Sequence, residues 1–205
     1  APGRSPCPGP VSDRRMIYTS RHHIVYCALD DYLTGATLPD TDDERVRQAL
    51  ARRLVEQLGY VREELEPRLT IDTRYNSIAV QTLIELTVRV DGRRLFIVRY
   101  GPGSLVTRET AAVAAARVLD PDYRIPYAVV TNGRDAELLE TARGRVLATG
   151  LDCIPDRRQA GELARQGEFA PYADPGLRDK ALRILNVFDR EICCAGARCE
   201  PAAGT

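Results

Sequence analysis

The chain is almost without lysine: among its 205 residues Lys180 is the only one, and arginine supplies the remaining positive charge. A GC-rich coding sequence is enough to explain that bias. Whatever its cause, chemistry that needs an ammonium group has one residue to draw on. Histidine is nearly as scarce. His22 and His23 are neighbours, and adjacent side chains point apart, which suits a surface role better than a shared metal or catalysis. No apolar stretch is long enough to span a bilayer, and no charged segment leads into an apolar one as in a signal peptide. We therefore expect a cytoplasmic protein with no membrane partner. No Gly-x-Ser-x-Gly, Walker loop or dinucleotide fingerprint occurs, which argues against the common hydrolase, nucleotidase and dehydrogenase sites. There is no internal repeat. Net charge is zero, with 29 basic and 29 acidic residues. That disfavours a protein that coats nucleic acid but leaves room for a local basic groove. Six cysteines are too sparse for a secreted disulfide scaffold of this length, so they read as thiols or metal ligands.

What is present is an ordinary globular composition, 44% hydrophobic and 28% charged, enough for one domain with one good core. Residues 1–15 are rich in Pro, Gly, Ser and Arg and read as an unpacked leader. Residues 16–40 read as an N-terminal arm. Residues 41–150 carry the core. Thr41-Asp42-Asp43-Glu44 is a capping box, the threonine oxygen taking the Glu44 amide while Glu44 reaches back. Val46, Ala49, Leu50, Leu54 and Leu58 follow at helical spacing, and Gly59 stops the helix. Arg45, Arg47, Arg52 and Arg53 read as a solvated basic stripe. Strands are expected at 68–74, 81–90 and 94–100, the last two joined by the hairpin turn Asp91-Gly92. Alternation puts Ile84, Leu86, Val88 and Val90 on one face of the second. An alanine-rich helix from Thr107 to about Leu119 leads to a buried strand at 126–131, with shorter strands at 136–140 and 145–148. Residues 151–205 hold a helix after Pro155-Asp156, an amphipathic helix at 177–190 and a cysteine-containing tail. A strand–helix–strand crossover in this order makes an α/β domain with a mixed sheet and helices on its faces.

That order, with three particular segments, resembles the N-terminal domain of type I restriction enzyme R subunits, a branch of the PD-(D/E)xK restriction-endonuclease-like superfamily. The segments are Asp43-Glu44-Arg45-Val46-Arg47-Gln48, Val90 through Val98, and Pro126 through Gly133; the likeness runs from about Asp42 to about Gly150. It implies an acidic residue on the strand before the hairpin and a Glu-x-Lys tripeptide on the strand after it. Such carboxylates hold Mg²⁺, which polarises the phosphate and activates water, and the lysine steadies developing charge. Here the acidic position is Glu85, but Arg99-Tyr100-Gly101 stands where Glu-x-Lys is expected. A cation replaces one metal ligand and a glycine replaces the ammonium. The expectation is a domain impaired in catalysis that binds nucleic acid or a protein partner. The alternative is a Mg²⁺-dependent nuclease whose site has been rearranged around Glu85, Asp72 and Glu44.

Two further features stay open. Gly101, Gly103 and Ser104, ahead of a helix that Thr107 opens and flanked by Arg99 and Arg108, form a candidate anion or nucleic-acid cradle. The same turn also reads as a plain strand-to-helix connection. Cys27, Cys153, Cys194 and Cys199 form a candidate metal set, one cysteine before the core and the others after it. Some nuclease relatives carry an iron–sulfur cluster with such a layout, and zinc is the other option. That would make the chain a metal-binding interaction module, although Cys193 and Cys194 are adjacent and no paired C-x-x-C spacing occurs.

Overall fold

The computed structural model describes the backbone of residues 27–75 and 78–192. The expected leader at 1–15, both histidines, and Cys194 and Cys199 lie outside the described residues, as does the first part of the expected arm. Its remainder forms a short antiparallel ribbon, β1 (Ala28–Asp30) with β2 (Thr37–Pro39), in which Leu29 faces Leu38.

Helix α1 (Asp42–Arg52) begins as its sequence predicts, with the Thr41 hydroxyl accepting from the Glu44 amide at 3.1 Å. The expected reciprocal bond is replaced: the Glu44 carboxylate turns to Arg47, Gln48 and Arg68. Charge-assisted bonds to two guanidinium groups outweigh one amide. The helix continues as a π-turn over Arg53–Gln57 and ends at Gly59, whose φ of 78° suits glycine.

Strands β3 (Leu65–Tyr75), β4 (Ile78–Val90) and β5 (Arg93–Tyr100) form an antiparallel meander, each longer than its pattern suggested. Asp91 and Gly92 both have positive φ, the geometry of a tight two-residue hairpin. Helix α2 (Val106–Val118) carries the chain across to β6 (Tyr127–Thr131), which pairs parallel to β5. Strands β7 (Ala136–Glu140) and β8 (Arg145–Thr149) complete the sheet antiparallel, so its order follows the chain from β3 to β8. Helix α3 (Arg157–Gln166) is capped by Asp156, and α4 (Pro175–Ile192) closes the described chain.

The sheet has a core on each side. Leu50 of α1, Leu54 of the π-turn after it, and Ala160 and Ala164 of α3 pack with Leu86, Val88, Phe96, Val98 and Val129. On the other side the alanines of α2, with Ala181 and Leu185 of α4, pack with Ile97, Ala128, Val130 and Leu139. Ala111 through Ala116 are all buried, because small side chains let α2 lie close to both the sheet and α4. Expected and observed faces differ at Ile84, which joins this second core and not the one that holds Leu86, Val88 and Val90. The alternation breaks at Glu85. Opposite it the β3–β4 ladder skips Arg68, whose φ is 54°, and a local kink of this kind re-aims side chains.

Candidate functional site

The site is built where β4 and β5 run side by side. From Leu86 paired with Val98, the register continues to Glu85 beside Arg99. Arg99 Nε lies 3.7 Å from Glu85 Oε2, and the two side chains are only 12% and 11% exposed. The same carboxylate oxygen accepts the Tyr100 backbone N–H at 3.1 Å. Burial pushes the Glu85 carboxyl above its ordinary range, while Arg99, the Tyr100 amide and Arg47 pull the other way. Two residues on, a β-carbon built at Gly101 would collide with the Arg108 guanidinium, which crosses over the glycine and donates to Pro102 O at 2.8 Å. Two arginines thus occupy the neighbourhood in which the resemblance implies a carboxylate and a lysine.

Next to this pair lies a network of alternating charge. Glu44, buried on α1, takes Arg47 (i,i+3), Gln48 Nε2 at 2.7 Å and Arg68 at 3.4 Å. Arg68 also meets Asp31, from the turn after β1. Burial pushes the Asp31 carboxyl up, but Arg68 and the hydrogen bonds from the Leu33 and Thr34 amides together hold it below its ordinary range. Arg47 is buried and Arg53 reaches Leu151 O and Asp152, so the basic stripe expected to be solvated is partly internal. Glu44 and Arg47 stand at i,i+3 helical spacing, but the pattern assigned Glu44 to the cap and Arg47 to a solvated stripe; nothing in the sequence announced Arg68 or Asp31.

Of the candidate acids, Glu85 and Glu44 are brought into reach of a common neighbour, Arg47. Asp72 is not brought there. It pairs with Gln81, whose amide it accepts at 2.9 Å, four residues along β4 from Glu85 and hence roughly 13 Å away at about 3.3 Å per residue. This donor set does not suit Mg²⁺. A hard divalent ion needs several anionic oxygens, and here Glu85 faces Arg99 while Glu44 takes Arg47 and Arg68.

The turn from Gly101 to Leu105 is internally bonded: Gly101 N–H donates to Thr131 O, Asn132 Nδ2 to Gly103 O, and Thr107 Oγ1 to Ser104 O. Helix α2 begins at Val106 after Leu105, one residue before the expected Thr107. The two described cysteines stand in different settings. The Cys27 thiol donates to Asp40 at 3.5 Å. Cys153 follows β8, where burial pushes its thiol up to about 11, away from the thiolate that metals need. Among the described residues no group of three or more His, Cys, Asp or Glu side chains is arranged to hold a metal.

The raised Glu85 carboxyl predicts a pH effect. The native state binds that proton more tightly than the unfolded chain does. Its contribution to stability is therefore present below the ordinary value of 4.5 and is lost as pH rises through the higher native value. Asp31 and Asp40, held low, act in a separate window: what they contribute is lost as pH falls below 3.8. Glu85→Gln is expected to flatten the decline above pH 4.5 and leave the acid limb unchanged. Urea unfolding of both proteins across that range checks it, and parallel curves would contradict it.

Among the described residues no helix is long and apolar enough to cross a membrane. Comparison with curated proteins and with solved structures gives no match. Residues 42–155, from the first residue of α1 to the loop before α3, match the family described as type I restriction enzyme R protein N terminus. The matched stretch is more than half of the chain and contains the whole six-stranded sheet. The chain belongs to the family of type I restriction enzyme R protein N-terminal domains.

Proposed function

We propose that this domain binds nucleic acid through the surface around Arg108 and the turn after β5 without cleaving it. The observation that carries the reading is Arg99 against Glu85, with Arg108 crossing over Gly101. Cations stand where metal-assisted hydrolysis requires an anionic ligand and an ammonium group. Guanidinium groups suit phosphate far better than they suit Mg²⁺. Arg108 and the backbone N–H groups of Gly103 and Ser104 are the groups proposed to meet the backbone, and contacts of that kind give affinity without sequence preference.

The expected result is binding of labelled single- or double-stranded oligonucleotides at low salt, falling linearly on a log–log plot as salt rises. Arg108→Gln is expected to weaken it. With Mg²⁺ or Mn²⁺ the oligonucleotides stay intact. Fluorescence anisotropy and denaturing gels read both. Cleavage that disappears in Glu85→Gln would overturn the non-cleaving half of the reading. Absence of binding to any nucleic acid at low salt would overturn the other half.

A further inference from the structure

The turn between β1 and β2 places two consecutive side chains on three arginines from three different elements. Asp31 meets Arg68 of β3. Tyr32 lies under Arg52 of α1 and Arg62 of the turn before β3, whose guanidinium carbons are 4.5 and 4.4 Å from the ring centroid. The two oxygens of Asp31 do different work. Oδ1 accepts the Leu33 and Thr34 amides and shapes the turn, while Oδ2 faces Arg68. The Tyr32 backbone N–H is held by Gln48 at 2.7 Å, and Gln48 in turn donates to Glu44. The dipeptide therefore offers an anion to one guanidinium and a flat ring to two others. A nucleotide makes the same offer, a phosphate and a base one unit apart: phosphate pairs with arginine, and bases stack on guanidinium planes.

We propose that Asp31 and Tyr32 occupy, in cis, a subsite for one nucleotide of a single strand, and that nucleic acid displaces the β1–β2 turn to reach Arg52, Arg62 and Arg68. The inference rests on the nucleic-acid reading above and adds to it a strand type, a place and a built-in competitor. The site is linked to the Glu85–Arg99 neighbourhood through Glu44, which Arg68 shares with Arg47. Holding the turn closed lowers apparent affinity by the fraction of molecules that are open. Weakening the hold raises affinity without adding a contact.

Asp31→Asn separates the two roles. The amide keeps an Oδ1 acceptor for the turn and removes one of the two carboxylate charges that Arg68 meets, leaving Glu44. Against labelled oligothymidylate, this variant of the full chain is expected to bind roughly tenfold tighter, as when the open fraction rises tenfold. Adding Arg68→Gln to Asp31→Asn should cancel the gain. Hydrogen exchange at residues 28–39 of the wild type should increase when the oligonucleotide is bound. Binding that weakens in Arg108→Gln but does not strengthen in Asp31→Asn would overturn this inference and leave the nucleic-acid reading standing. A gain that survives Arg68→Gln, or a turn that stays protected in the complex, would also overturn it. No binding by either wild type or Asp31→Asn, both folded by circular dichroism, would remove both.

Discussion

Arg99→Glu is expected to destabilise the domain by about 3–5 kcal/mol in metal-free buffer, the usual cost of leaving a buried ion pair without its partner. The effect is large because the new carboxylate would stand beside Glu85 in a position that is already almost closed to water. Glu85 is held towards its neutral form by burial, and Arg99 is the foremost group opposing that. Removing the guanidinium and adding a second acid turns an attraction into a repulsion. It also restores the donor chemistry that a hard cation prefers. Millimolar Mn²⁺ should therefore raise the midpoint of thermal unfolding of Arg99→Glu and leave that of the wild type unmoved. Recovery of about 2.7 kcal/mol corresponds to a metal concentration a hundredfold above its dissociation constant. If metal shifts both proteins equally, or if Arg99→Glu is as stable as wild type without metal, the Glu85–Arg99 pair is not what closes this site to metal.

The sequence makes the sheet readable but not the contact on which that prediction depends. Val90-Asp91-Gly92-Arg93 fixes the hairpin, and the apolar run Leu95–Val98 marks a central strand with a core on each side. Taken alone, a two-residue turn at Asp91-Gly92 continues the pairing of Val90 with Arg93 and Arg89 with Arg94 until Glu85 lies opposite Val98. A register shift between Val88 and Arg89 adds one residue on β5, so Leu86 faces Val98 and Glu85 comes beside Arg99. No turn residue or glycine announces that bulge. Its presence follows from burying both faces at once, a demand of the packed layers that local pattern does not express. Arg68 is hidden for the same kind of reason. A non-glycine residue at φ 54° is held there by what it contacts, Asp31 and Glu44, which are 37 and 24 residues away. The capping box misled in a different way. Its threonine behaved locally, but Glu44 answered to long-range charge. Where local chemistry has no competitor, as at Asp156 and Gln159 of α3, the reciprocal cap forms in full.

Phe96→Ala should destabilise the fold by about 3–5 kcal/mol, the range for removing a fully buried ring from a core that does not collapse. Phe96 has no exposed surface and meets Tyr60 edge-on, with centroids 6.3 Å apart. Tyr60 is itself fixed from behind, its hydroxyl donating to Pro155 O at 2.8 Å. It is thus held against moving into the void. Val88 and Tyr127, the register partners of Phe96 on β4 and β6, belong to the paired sheet. A cavity at this point therefore keeps most of its volume, and its cost keeps most of its size. Leu147→Ala on β8 provides the contrast. Among the described residues that strand pairs with β7 alone, and Leu147 is 46% exposed; truncation there should stay within about 0.5 kcal/mol. Urea denaturation of the two variants separates them clearly. Comparable losses would mean that the buried central strand does not hold the fold more firmly than the exposed strand β8. Because Phe96 lies three residues before Arg99 on the same strand, its variant also tests whether the site can be loosened from within. A Phe96→Ala protein that remains folded but loses the pH response assigned to Glu85 would show that the central strand, and not the ion pair alone, holds that carboxylate out of water.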